Sequence, residues 1–192
     1  MINNLQELLS AAQSTGPAVL WLLFISWCVH DVEELLFFMR SDLKNDPRIK
    51  QLTDKNALVG KMFRNAAGSQ AEINISISFM AVLMLAATLA GWFDPHGAGM
   101  LVYGAMLGGY FLHTFTHVGG SLILRRYTPG VITAILVVLP ASIIIYTNIF
   151  NLGLLDWQQA AWTSLAGIAV FIPLLFIVHS AAAVLAKRLH ER

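Results

Sequence analysis

His30, Glu33 and Glu34 are spaced i, i+3, i+4, so on a helix they share one face. His113 and His117 lie four residues apart and share another. Imidazole and carboxylate are ligands for zinc, iron and manganese. An acid and a histidine three residues apart on a helix is how bundles build dinuclear carboxylate sites. Glu72 and His179 add two more such side chains within apolar stretches. The pattern points to metal-ion chemistry. His30, Glu33, His113, His117 and His179 are the first-choice ligands; Glu34 and Glu72 are ligands, bridges or the general base. Three ionised glutamates with one bridging anion would balance two divalent ions, the neutrality a low-dielectric interior favours. One ion, with Glu34 or Glu72 left free as a base, also satisfies the donors.

The elements that carry these residues are those of a membrane protein. Of 192 residues, 57% are hydrophobic and 12% charged, against about 25% charged in a soluble domain. The net charge is +1, and the basic face that nucleic-acid binding requires is missing. Cys28 is the only cysteine, which excludes an internal disulfide and a cysteine metal cluster. No Lys or Arg precedes Arg40, so the first apolar run is expected to stay as a helix rather than be cleaved as a signal.

A helical span takes roughly 20 mostly apolar residues. Five segments qualify, at about 17–39, 70–93, 99–124, 130–150 and 159–186. All twelve basic residues fall between the first and second segments, after the third, or after the fifth. The positive-inside rule puts that side in the cytoplasm. The expected fold is all-α: a single membrane domain over 1–192 with five transmembrane helices, N-terminus out and C-terminus in. The cytoplasmic loop 40–69 is expected at the membrane surface, in short helices. Pro173 is expected to kink the fifth helix.

Depth groups the polar residues. His30 lies ten residues before Arg40, and Glu33 and Glu34 seven and six before it. Glu72 is eight after Arg64, His113 and His117 twelve and eight before Arg125, and His179 eight before Lys187. At about 1.5 Å per residue all seven occupy one layer, roughly 9–18 Å below the cytoplasmic anchors. A charge at mid-bilayer costs about 2.5–3.5 kcal/mol, so this layer needs compensation. Metal-dependent chemistry is the leading reading. A metal-free acid/base site or an ion path comes second, and hydrogen bonding between helices third. Taken singly, His179 fits the last of these. Asp31 sits at the edge of the His30 face, where it can orient a histidine.

The segment "HDVEE" at 30–34 resembles the motif of the HXXEE family of bacterial membrane proteins. The later histidine-bearing helix and "RRYTPGVITAIL" at 125–136, similar to that family's Arg-x-Tyr-x-Pro-Gly segment, extend the resemblance over most of the chain. The resemblance implies a multi-pass protein of the bacterial inner membrane with a metal-binding or enzymatic site. At the level of the site alone, Glu33-Glu34 and the pair His113, His117 are also similar to membrane-embedded CAAX-type proteases. Arg40, six residues after Glu34, departs from the closer spacing in those enzymes.

Together these readings predict a metal-dependent enzyme holding one or two divalent transition ions. Its substrate would partition into the inner leaflet: a lipid, an isoprenoid or a lipidated peptide. Hydrolysis is the leading reaction. Di-iron oxidation of an acyl or hydrocarbon chain, which needs an electron donor, follows it. A proton or metal-ion transporter is the competing class. Besides the bilayer, the partner to expect is a second copy of the chain.

Overall fold

The computed structural model describes residues 16–38, 47–55 and 69–190, and every element among them is helical. A 3₁₀ segment, Gly16–Trp21, leads into α1, Leu22–Phe38. A short surface helix follows, α2, Pro47–Lys55. The long helices are α3, Gln70–Phe93; α4, Ala98–Leu124; α5, Val131–Asn151; and α6, Trp157–His190. Each of the five apolar segments thus forms a helix with ends within a few residues of those expected. Apart from α2 and Ser69, the loop 40–69 lies outside the described residues, as do Arg40, Lys44, Lys61, Arg64 and Arg192.

The ends of the helices have local causes. α3 starts on a capping box: Glu72 N–H donates to Ser69 Oγ at 3.3 Å, and Ser69 N–H donates back to the Glu72 carboxylate at 3.2 Å. α4 stops at Arg125, which takes the left-handed conformation (φ 50°), with Arg126 N–H reaching back to the Ser121 carbonyl. Arg48 of α2 donates to the carbonyl of Leu124, one of the orphaned acceptors at that end. Asp156 and Gln159 cap α6 reciprocally. In α5 the stretch Ala134–Val138 is π-helical. Pro140 follows it, and the wider turn accommodates a residue that has no N–H and would crowd the carbonyl four positions back. α6 continues through Pro173 to His190.

α4 packs most closely against α6, and small residues permit it. A Cβ on Gly108 would strike the backbone of Ser164, and one on Gly167 the carbonyl of Ala105. The core around α4 contains Leu20, Leu23, Met84, Tyr103, Leu107 and Ile145, all fully buried.

Three helices are long and apolar enough to cross a membrane: α3, α5 and α6. α1 and α4 miss that standard: α1 is only 17 residues long and carries three carboxylates, and α4 is diluted by glycines, threonines and two histidines. The outward side of α1 is nevertheless apolar, with Ile25, Val29, Val32 and Leu36 45–62% exposed, while His30, Asp31 and Glu33 are buried. That is the reverse of a soluble amphipathic helix, and it is how polar residues sit in a membrane bundle.

Candidate metal centre

Four of the seven polar residues meet at one point. His30 and Glu34 come from one face of α1, and His113 and His117 from one face of α4. Each offers one ligand atom, and these atoms all lie within 4.8 Å of one another. His30 Nε2 is 3.3 Å from His117 Nε2, which is 2.8 Å from His113 Nε2 and 3.2 Å from Glu34 Oε1.

The outer nitrogens decide what this means. His117 Nδ1 is 3.0 Å from the Pro129 carbonyl, which can only accept, so Nδ1 carries the proton. The Thr133 hydroxyl donates to Glu33 Oε2 at 2.5 Å, so it accepts from His30 Nδ1 at 2.9 Å. The Thr116 hydroxyl donates to the His113 carbonyl at 2.7 Å and is 3.3 Å from His113 Nδ1, which donates to it. Each of the three rings therefore carries hydrogen on Nδ1, which in the neutral form leaves a bare lone pair on Nε2. Three lone pairs and a carboxylate facing each other at 2.8–3.3 Å repel unless a cation or proton lies among them. A metal ion resolves this, and histidine ligands whose far nitrogen donates to a fixed acceptor are its ordinary setting. The group also has an open side: the Glu34 side chain is 26% exposed and that of His117 11%.

Glu33 turns elsewhere. Its Oε1 accepts from Tyr127 Oη at 2.6 Å and from Ile132 N–H at 3.4 Å. Its Oε2 accepts from Thr133 N–H at 2.7 Å and from the Thr133 hydroxyl. Burial, and then this carboxylate, hold the Tyr127 phenol above its ordinary range. The segment 127–133 is thereby held against α1, and Thr128 ties it to α4 by meeting Ser121 at 2.5 Å. Gly130 sits behind the histidines with φ 85°; a Cβ there would lie 2.7 Å from His117 Cε1 and 2.9 Å from His30 Cε1.

Residues 21–145 match the family model described as a protein of unknown function with an HXXEE motif. The chain belongs to the HXXEE family. No curated protein and no solved structure matches it. In this HXXEE protein the motif's histidine and second glutamate enter the four-residue group, while the first glutamate binds the segment after α4.

The remaining expected residues are not among the four. Glu72 closes the cap of α3, and His179 Nδ1 pairs with Ser76 Oγ at 3.2 Å. Asp31 is buried, but the outer nitrogens of the three clustered rings go to Thr133, Pro129 and Thr116 instead. Those acceptors, with Tyr127 and Gly130, are what the residue pattern alone did not disclose. The signal for Tyr127, Pro129 and Gly130 is the Arg-x-Tyr-x-Pro-Gly segment at 125–130; Thr116 and Thr133 lie outside it.

Proposed function

We propose that this HXXEE protein is an integral membrane enzyme of the bacterial inner membrane. Its five long helices span the bilayer with the N-terminus outside, and His30, Glu34, His113 and His117 hold one divalent transition ion in the cytoplasmic half. The convergence of three Nε2 lone pairs and one carboxylate carries this reading. A dinuclear centre would draw on Glu33, Glu72 or His179, whose side chains are engaged elsewhere, so the geometry favours a single ion. Bound there, the ion would supply Lewis-acid polarisation of a carbonyl or phosphoryl group. The three imidazoles orient it, with their Nδ1 protons committed to fixed acceptors and their Nε2 atoms turned toward it. Glu34 is the only carboxylate of the group, and we assign its second oxygen as the acceptor of the proton from an attacking water. A membrane-partitioned ester, amide or phosphoester fits the apolar surroundings. Hydrolysis is the reaction class, and oxidation the outcome that bound iron would point to.

The test is elemental analysis of detergent-purified protein beside His113→Ala and Glu34→Ala. One equivalent of zinc, iron or manganese, lost in both variants, is the expected result. No bound ion after reconstitution with each metal would sink the metal reading. Two equivalents would overturn the single-ion assignment.

A further inference from the structure

Glu33 and the segment 127–133 form a second layer behind the four-residue group. Glu33 receives four donors, from Tyr127 Oη, Ile132 N, Thr133 N and Thr133 Oγ1, on its two oxygens. An acceptor-only carboxylate is the side chain that satisfies all four. A glutamine would keep one oxygen and turn an N–H₂ toward two donors. The segment so fastened supplies the acceptors for two of the clustered rings: the Thr133 hydroxyl for His30 and the Pro129 carbonyl for His117. Gly130 lies between them, with room for no side chain against either imidazole. The Thr133 hydroxyl has one hydrogen. It goes to the carboxylate at 2.5 Å rather than to the Gly130 carbonyl at 3.4 Å, which leaves the oxygen lone pair for His30.

We infer that Glu33 is a positioning residue: it holds the segment 127–133 so that Thr133 and Pro129 fix His30 and His117 with hydrogen on Nδ1 and Nε2 turned toward the ion. The consequence for metal affinity rests on the proposed metal centre; the tautomers do not. This links the two stretches that carry the family resemblance, "HDVEE" and "RRYTPG", in one hydrogen-bonded unit.

Nitrogen NMR of metal-free protein with labelled histidine rings, at a pH above about 8 where imidazoles are neutral, reads the tautomers directly. His30→Asn and His117→Asn assign the signals. The wild type should show Nδ1–H at both rings. Thr133→Val, which is nearly isosteric, should shift His30 toward Nε2–H and leave His117 alone, and Thr133→Ser should restore it. Glu33→Gln should disturb both rings. Competition with a chromophoric chelator should show zinc held about 10–100-fold more weakly in Thr133→Val and Glu33→Gln than in the wild type. Nε2–H at His30 in the wild type, or tautomers unmoved by Thr133→Val and Glu33→Gln, would overturn the inference. A wild type that shows the Thr133-dependent tautomer yet binds no ion would sustain it and overturn the metal centre.

Discussion

Neighbouring residues on a helix point about 100° apart, and that angle separates Glu33 from Glu34. Glu34 turns to His117, and Glu33 to Tyr127 and Thr133. Substitutions should divide accordingly. Glu34→Gln should abolish measurable zinc binding with little change in melting temperature. Tyr127→Phe should leave zinc affinity within a few-fold and lower stability by about 1 kcal/mol, less than the usual value for a hydrogen bond to a charged partner, because the ring is partly exposed. The second effect carries a pH signature. The Tyr127 phenol is raised by burial and by Glu33, so its stabilisation is fully present below the unfolded value of about 10 and fades as pH climbs toward the folded one. Melting temperatures of wild type and Tyr127→Phe should differ by a constant amount from pH 7 to 9 and converge above about pH 10. A difference that grows with alkali would contradict the assignment.

At the scale of elements, the turn between α4 and α5 matters more than either helix end. Gly130 and Gly153 both have positive φ, 85° and 64°, but a Cβ on Gly153 meets nothing within 4 Å. Gly153→Ala therefore measures the conformational cost alone, about 1–2 kcal/mol. Gly130→Ala adds a methyl pressed on two imidazoles, so it should destabilise more and also weaken zinc binding, which Gly153→Ala leaves unchanged. Equal melting temperatures and equal zinc affinities for the two variants would refute the contact. Runs of about 20 apolar residues located every long helix, because that signal is local to each stretch of chain. Helix periodicity paired His30 with Glu34 and His113 with His117. It could not separate Glu33 from the four-residue group, since i+3 and i+4 both count as one face. Nor could it show that a proline carbonyl twelve residues after His117 returns to it, because that depends on how the segment 127–133 folds back.

For the whole molecule, the question is how many helices cross. α3, α5 and α6 meet the length and hydropathy standard. α4 is longer than α3 and lies against α6 with backbone-to-backbone closeness at Gly108 and Gly167, so we take it to cross as well. Its 27 residues extend about 40 Å, enough for a bilayer core of about 30 Å. The two alternatives place the connecting turns differently. With five spans, residues 96 and 153 face outside and residue 188 faces the cytoplasm. If only α3, α5 and α6 crossed, with residue 96 again outside, residue 153 would face the cytoplasm and residue 188 the outside. Single cysteines at His96, Gly153 and Arg188, each in a Cys28→Ala background, distinguish these with a membrane-impermeant maleimide. Five spans predict labelling of His96→Cys and Gly153→Cys in intact cells, and of Arg188→Cys only after lysis. Labelling of Arg188→Cys from outside with Gly153→Cys protected would remove α4 from the membrane-crossing set. It would also take the histidine cluster out of the bilayer interior, and the case for a lipid-partitioned substrate would fall with it.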